Sequence, residues 1–147
     1  YIAQSFPNAT ILFPNEVDKV KNFKDINAYD FVFLTPNQIH MIDNETVDLS
    51  INIHSFQEMT HEQINEYFSL IQRVGKNDSY FFTSNRVEKL PCGRGAYEKE
   101  TSVLPNRVSH YPWNSSNEVK VYEICRMLRL VQLDAIFIRL EQIKKYA

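Results

Sequence analysis

Residues 54–58 read His-Ser-Phe-Gln-Glu, so four side chains able to do chemistry fall within five positions: His54, Ser55, Gln57 and Glu58. Histidine titrates near neutrality, which makes His54 the natural general base of the group. Glu58 is the second candidate, and His110 a third. Gln57 cannot take a proton at pH 7 and offers hydrogen bonds only. Asn85 and Arg86 form another polar pair, and Arg86 and Arg94 could hold hydroxyls or an anionic group. Tyr97, Tyr111 and Trp113 add aromatic faces to the same loop-rich region. No Asp/Glu/His cluster has convincing ligand spacing, so no metal is expected. The plainer alternative is that His54 caps a neighbouring helix, that Gln57 and Glu58 satisfy backbone groups where the next helix starts, and that the aromatic residues are packing.

Strands and a helix must position these groups. VDLSINIHSF (47–56) reads as a strand, with Val47, Leu49, Ile51 and Ile53 alternating with Asp48, Ser50, Asn52 and His54. A helix follows. Thr60 and Gln63 form a capping box, and Met59 and Ile64 a hydrophobic staple. Ile64, Tyr67, Phe68, Ile71 and Val74 make one apolar stripe, and Gly75 reads as the C-terminal stop. SYFFTSNRV (79–87) is the next strand, so this stretch is a candidate parallel βαβ unit. Upstream, residues 1–8 read as the end of a helix and ATILF (9–13) as a short strand. Residues 16–29 read as a polar surface segment, and YDFVFLTP (29–36) as a strand ended by Pro36. Residues 88–118 form a loop-rich insertion. EVKVYEICRML and AIFIRLEQI alternate and are β-branched, so two closing strands are expected over 119–147, with a long helix as the alternative.

All three strands of the 29–87 stretch become polar at the same end: Thr35, Asn37 and Gln38 after the first, Asn52, His54 and Ser55 at the second, Thr83, Ser84, Asn85 and Arg86 at the third. In open α/β sheets ligands bind outside the carboxyl ends of the strands. That common location is the main argument for a site.

Bulk properties narrow the classes. The chain has 147 residues, 44% hydrophobic and 23% charged, with net charge -2. That balance suits a globular domain and gives no positive field for nucleic acid. No apolar run is long enough for membrane insertion. Cys92 and Cys125 make neither metal spacing nor a disulfide framework and read as free thiols in a reducing, cytoplasmic compartment. Only three glycines occur, so no glycine-rich nucleotide turn lies in this chain. With Tyr1 first, the chain reads as a piece of something longer.

VDLSINIHSFQEM followed by SNRVEK resembles the later half of class I S-adenosylmethionine-dependent methyltransferases. More narrowly, it is similar to the sugar O-methyltransferases of bacterial surface-polysaccharide clusters. The resemblance covers residues 1–90 well and the rest weakly. It implies an α/β, Rossmann-like sheet, incomplete here, ending in an antiparallel hairpin. Residues 1–147 would be the C-terminal part of one domain: core over 1–87, a substrate-side insertion over 88–118 and closing strands over 119–147. S-adenosylmethionine would be the cofactor, near Thr35, Asn37, Gln38, Asn52 and Ser55. His54 or Glu58 would act on a sugar, nucleotide-sugar or polysaccharide acceptor held by Gln57, Asn85, Arg86, Arg94 and Trp113. A homodimer is left open. In plant small-molecule O-methyltransferases the catalytic His aligns with Gln57, so the base here must be another residue. The resemblance also implies that YDFVFLTP lacks its neighbouring strand and that VDLSINIHSF has an open edge.

Overall fold

The computed structural model describes residues 1–20, 23–89, 106–128 and 133–145. They fall into two compact units, Tyr1–Asn44 and Glu45–Ala147.

In the first unit a short helix α1 (Ile2–Ser5) precedes strand β1 (Ile11–Leu12), and helix α2 (Phe23–Ile26) precedes β2 (Phe31–Val32). The strands pair in parallel, Ile11 with Phe31 and Leu12 with Val32. The expectation that YDFVFLTP lacks a neighbour is therefore wrong, because ATILF supplies it. Thr10 fastens the pair: its backbone N–H and its hydroxyl donate to Asp30 Oδ2 at 2.8 and 2.9 Å. Those bonds favour the ionised carboxylate and hold Asp30 below its ordinary value. Leu12, Val17, Val20 and Ile26 form the core of this unit. The polar stretch 16–29 thus contributes three core residues. Val17 and Val20 reach one face because a 3-10 turn over Pro14–Lys19 brings residues three apart into line.

The second unit holds a four-stranded sheet of order β3-β4-β8-β7: β3 (Val47–Ile53), β4 (Gly75–Arg86), β7 (Glu118–Leu128) and β8 (Leu133–Gln142). β3 and β4 are parallel, and β4–β8 and β8–β7 are antiparallel. The closing segment is strand rather than the alternative helix, since alternating β-branched residues fit a pleat better than a helix. The turn expected between β7 and β8 lies largely outside the described residues. A small pair, β5 (Glu88–Lys89) with β6 (Asn106–Arg107), flanks the sheet in sequence.

Helix α3 (His61–Val74) joins β3 to β4. Its start is as expected: Gln63 N–H donates to Thr60 Oγ1 at 3.3 Å, and Thr60 N–H donates to Gln63 Oε1 at 3.0 Å. Its end is not. Gly75 has φ -63° and ψ 136°, and it opens β4 rather than forming a left-handed stop. Glycine is needed there for space, because a Cβ would meet Ile143 Cδ1 at 2.5 Å and Ser79 Oγ at 2.9 Å.

The core packs α3 on one sheet face. Ile64 and Phe68 of α3 meet Phe56, Phe81, Val108, Tyr111, Phe137 and Ile143. The rings of Phe68 and Trp113 meet edge to face, centroids 5.0 Å apart at 82°, a favoured aromatic geometry. β3 behaves unexpectedly. Its polar Ser50 and Asn52 share the helix-covered face with Phe81 and Thr83, their register partners. Its apolar Leu49, Ile51 and Ile53 lie on the other face and are 50–61% exposed. β3 is the outer strand of this sheet, as its expected open edge requires.

Candidate functional site

The chain leaves β3 through a strained residue. His54 has φ 54°, in the left-handed region that L side chains rarely adopt. Its N–H donates to Ser84 O at 2.8 Å, one step beyond the Ile53–Ser84 register pair. The parallel ladder thus fixes the backbone while the turn sends the imidazole outward. His54 is exposed. Unusual backbone conformations held by their surroundings concentrate at functional sites.

Behind His54 the polar side chains are joined in one line. Asn52 Nδ2 donates to Ser55 Oγ at 2.5 Å, and Asn85 Nδ2 donates to Asn52 Oδ1 at 2.8 Å. Asn85 Nδ2 also donates to Thr83 Oγ1 at 2.9 Å. Asn85 and Thr83 are wholly buried, and Asn85 Oδ1 has no partner among the described residues. The parallel register brings residues 52, 83 and 85 together on one face. His54, Ser55, Asn52 and Asn85 are therefore assembled at one strand end, as the sequence suggested. Thr83 belongs with them, though the sequence pattern showed it only as one of several polar residues there.

Ser55 precedes a single 3-10 turn, Phe56–Glu58. Phe56 and Gln57 are buried, and Phe56 anchors the turn against Phe68, Tyr67 and Tyr111. Gln57 spends its oxygen on the N–H of Arg86, at 2.9 Å, and its Nε2 donates to Glu58 Oε1 at 3.3 Å. Glu58 is ion-paired with Lys89. Asn106 was not singled out by sequence, yet its Nδ2 donates to the carbonyls of Phe56 and Met59 at 2.9 and 3.0 Å. It pins the turn from β6, and nothing in its local sequence signals that role.

The remaining candidates stand elsewhere. Trp113 is half-buried in the aromatic core, with Nε1 donating to Val108 O at 3.0 Å and the Arg139 guanidinium 4.2 Å from its ring centroid. Tyr111 is buried, and burial pushes its phenol up to about 12. His110 lies 5.9 Å from His61, ring centre to ring centre. Thr35, Asn37 and Gln38 belong to the first unit, at the 3-10 turn Pro36–Met41. There Gln38 accepts the N–H of Thr35 at 2.9 Å and donates to Pro14 O at 3.0 Å. Arg94 and Tyr97 lie outside the described residues. Among the described residues no group of three or more His, Cys, Asp or Glu could hold a metal ion.

An open groove of about 720 Å³ lies between α3 and residues 112–117, over β4 and β8. Asn117 Nδ2 bridges Glu141 Oε2 at 3.1 Å and Gln72 Oε1 at 3.2 Å, and Arg139 pairs with Glu141. These groups satisfy one another, and none of the sequence-derived candidates lines this groove.

No protein-family profile matches the chain, and no curated protein matches it. Solved structures do. One comes from work on the conversion of a disulfide bond into a thioacetal group during echinomycin biosynthesis. It aligns over 95% of this chain and 68% of its own, at 9% identity and TM-score 0.53. The PH0226 protein from Pyrococcus horikoshii OT3 aligns over 97% of this chain and 75% of its own, at 10% identity and TM-score 0.54. A protein of Sulfolobus solfataricus assigned to the type 11 methyltransferases aligns over 99% and 91%, at 15% identity, but its TM-score of 0.47 is too low to carry an argument. The first two likenesses show a shared mixed α/β fold and nothing of its chemistry.

Proposed function

We propose that this chain is the C-terminal part of an S-adenosylmethionine-dependent O-methyltransferase acting on a sugar hydroxyl. The resemblance of VDLSINIHSFQEM and SNRVEK to sugar O-methyltransferases supports this reading. So does the βαβ unit that puts those motifs at the carboxyl ends of two parallel strands. The observation that carries it is His54, exposed and held in a left-handed turn by Ser84.

S-adenosylmethionine, when bound, supplies a methyl carbon on a sulfonium. The half-buried Asn52 and Ser55 fit the polar end of such a molecule: among the described residues no hydrogen bond takes up the Ser55 hydroxyl hydrogen, and it lies beside an open strand end. A sugar hydroxyl is a poor nucleophile until its proton is taken. His54 takes that proton at its imidazole. Glu58 is the lesser candidate because Lys89 engages it. Gln57, whose oxygen is spent on the Arg86 N–H, places the strand end of β4 rather than meeting the acceptor.

The test is calorimetric titration of S-adenosylhomocysteine into the full-length protein and into residues 1–147. Binding to the full-length protein supports the reading. No binding to either form points to the second reading, a non-catalytic α/β module, for which the exposed apolar face of β3 (Leu49, Ile51, Ile53) speaks.

A further inference from the structure

The hydrogen bonds through Ser55, Asn52, Asn85 and Thr83 have a direction. An amide can offer a neighbour either its oxygen or its NH2, so two senses are open to the line. In one, Asn85 Nδ2 gives both hydrogens, to Asn52 Oδ1 and Thr83 Oγ1, and Asn52 Nδ2 gives one to Ser55 Oγ. Among the described residues, Asn85 Oδ1 is then left without a partner, and so is the hydrogen of the Thr83 hydroxyl, which the line uses only as an acceptor. Turning both amides over would make Ser55 and Thr83 donors into the line. It would also put an amino group with two hydrogens where that oxygen now has no partner, in a residue 0% exposed. Turned over, the line strands two fixed amide hydrogens, whereas in the first sense it strands one rotatable hydroxyl hydrogen and one carbonyl oxygen, and under-satisfied carbonyl oxygens are the commoner of these defects. The first sense therefore prevails, and Ser55 receives a hydrogen while its own is left over.

We infer that Thr83 and Asn85 are positioning residues that set Ser55 as a hydrogen-bond donor to a ligand oxygen at the carboxyl end of β3. The inference rests on the proposed reading of that strand end as the site. The oxygen belongs to a carboxylate, a phosphate or a neutral sugar. His54 and Ser55 then act in opposite senses on what they meet, one accepting a proton and the other donating a hydrogen bond. Two adjacent groups of opposite sense fix a ligand's orientation, where two of the same sense would only hold it.

Asn85→Asp reverses the line. The carboxylate has no hydrogen to give, so Asn52 turns over to donate to it. Asn52 Oδ1 then draws in the Ser55 hydrogen. Three probes separate the oxygen sources in titrations of the full-length protein: S-adenosylhomocysteine, inorganic phosphate and methyl glucoside. Whichever binds the wild type should lose at least tenfold in affinity in Asn85→Asp and Ser55→Ala, and recover in Ser55→Thr. Unchanged affinity in Ser55→Ala would overturn the inference while leaving the methyltransferase reading intact. The sense of the line is read separately, and without any ligand, by ¹⁵N NMR of the wild type. Both Asn85 side-chain amide hydrogens should exchange slowly and show contacts to Thr83. Fast exchange there overturns the inference even if Asn85→Asp fails to fold. Absence of binding by every probe would sink the functional reading instead.

Discussion

The side-chain oxygen of Gln57 accepts the backbone N–H of Arg86 at 2.9 Å, tying the 3-10 turn after β3 to the last residue of β4. The two residues are 29 apart in sequence, and both fall in motifs that carry the methyltransferase resemblance. The bond makes Gln57 a brace. In Gln57→Ala the Arg86 N–H loses its partner in a partly buried place, at a cost of about 1–2 kcal/mol. Urea unfolding should show that loss. Gln57→Glu keeps an oxygen in reach of the same N–H, and at acidic pH, where its carboxyl is protonated and does not repel Glu58, it should retain most of the stability of the wild type at that pH. Equal loss in both variants would mean that packing, not this bond, is what Gln57 supplies.

Space rather than backbone angle requires glycine at position 75. Its φ of -63° suits any residue, but an added Cβ would sit 2.5 Å from Ile143 Cδ1 and 3.0 Å from Ile71 O. Ile143 is 0% exposed and cannot swing away. Overfilling a packed site of this kind costs about 1–3 kcal/mol. Gly75→Ala should therefore lower the unfolding midpoint clearly, and Gly75→Ala combined with Ile143→Val should recover part of the loss. No recovery would place the strain at Ile71 O instead.

Much of this frame is legible in the sequence because it is local. The Thr60–Gln63 capping box and the Ile64–Phe68–Ile71 stripe need only neighbours within a few positions, and α3 lies where they put it. The closing strands are legible from alternating β-branched residues. What is not legible depends on partners far away. Alternation in β3 shows that its two faces differ, but not which one is covered, and Leu49, Ile51 and Ile53 proved to be on the exposed side. Val17, Val20 and Ile26 are three apolar residues in a polar stretch, and only the fold of the first unit gathers them. The line from Ser55 to Thr83 exists because the β3–β4 register sets Asn52 opposite Thr83, and residues 31 apart carry no local mark of that.

Tyr111 should govern part of the alkaline stability. It is 4% exposed, its hydroxyl has no partner among the described residues, and burial raises its pKa from 10.0 to about 12. Above pH 10 the unfolded chain releases this proton while the folded chain keeps it. The folded state then binds more protons, so stability falls as pH rises from 10 to about 12. Tyr111→Phe removes both the titration and a buried hydroxyl without a partner. Stability at neutral pH should rise by about 1 kcal/mol, and the decline above pH 10 should become shallower. Urea midpoints measured from pH 8 to 11.5 check both. An unaltered alkaline slope would mean that other tyrosines set it.

As the proposed base, His54 would trade stability for chemistry. An L side chain in the left-handed region carries a backbone cost of about 1–2 kcal/mol, and His54 holds φ 54°. Glycine meets no such cost but loses more freedom on folding. His54→Gly should therefore leave stability unchanged or raise it by up to about 1 kcal/mol. Asparagine tolerates the same region, so His54→Asn should match the wild type in stability. Neither variant has a group that takes a proton at neutral pH. If His54 is the base, both should lower methyl transfer by the full-length protein by about a hundredfold or more, with binding of S-adenosylhomocysteine little changed. Urea unfolding and transfer rates on the same three proteins decide between roles. A turnover near wild type in His54→Asn would reduce His54 to a residue that shapes the turn after β3, and would hand the proton to another group.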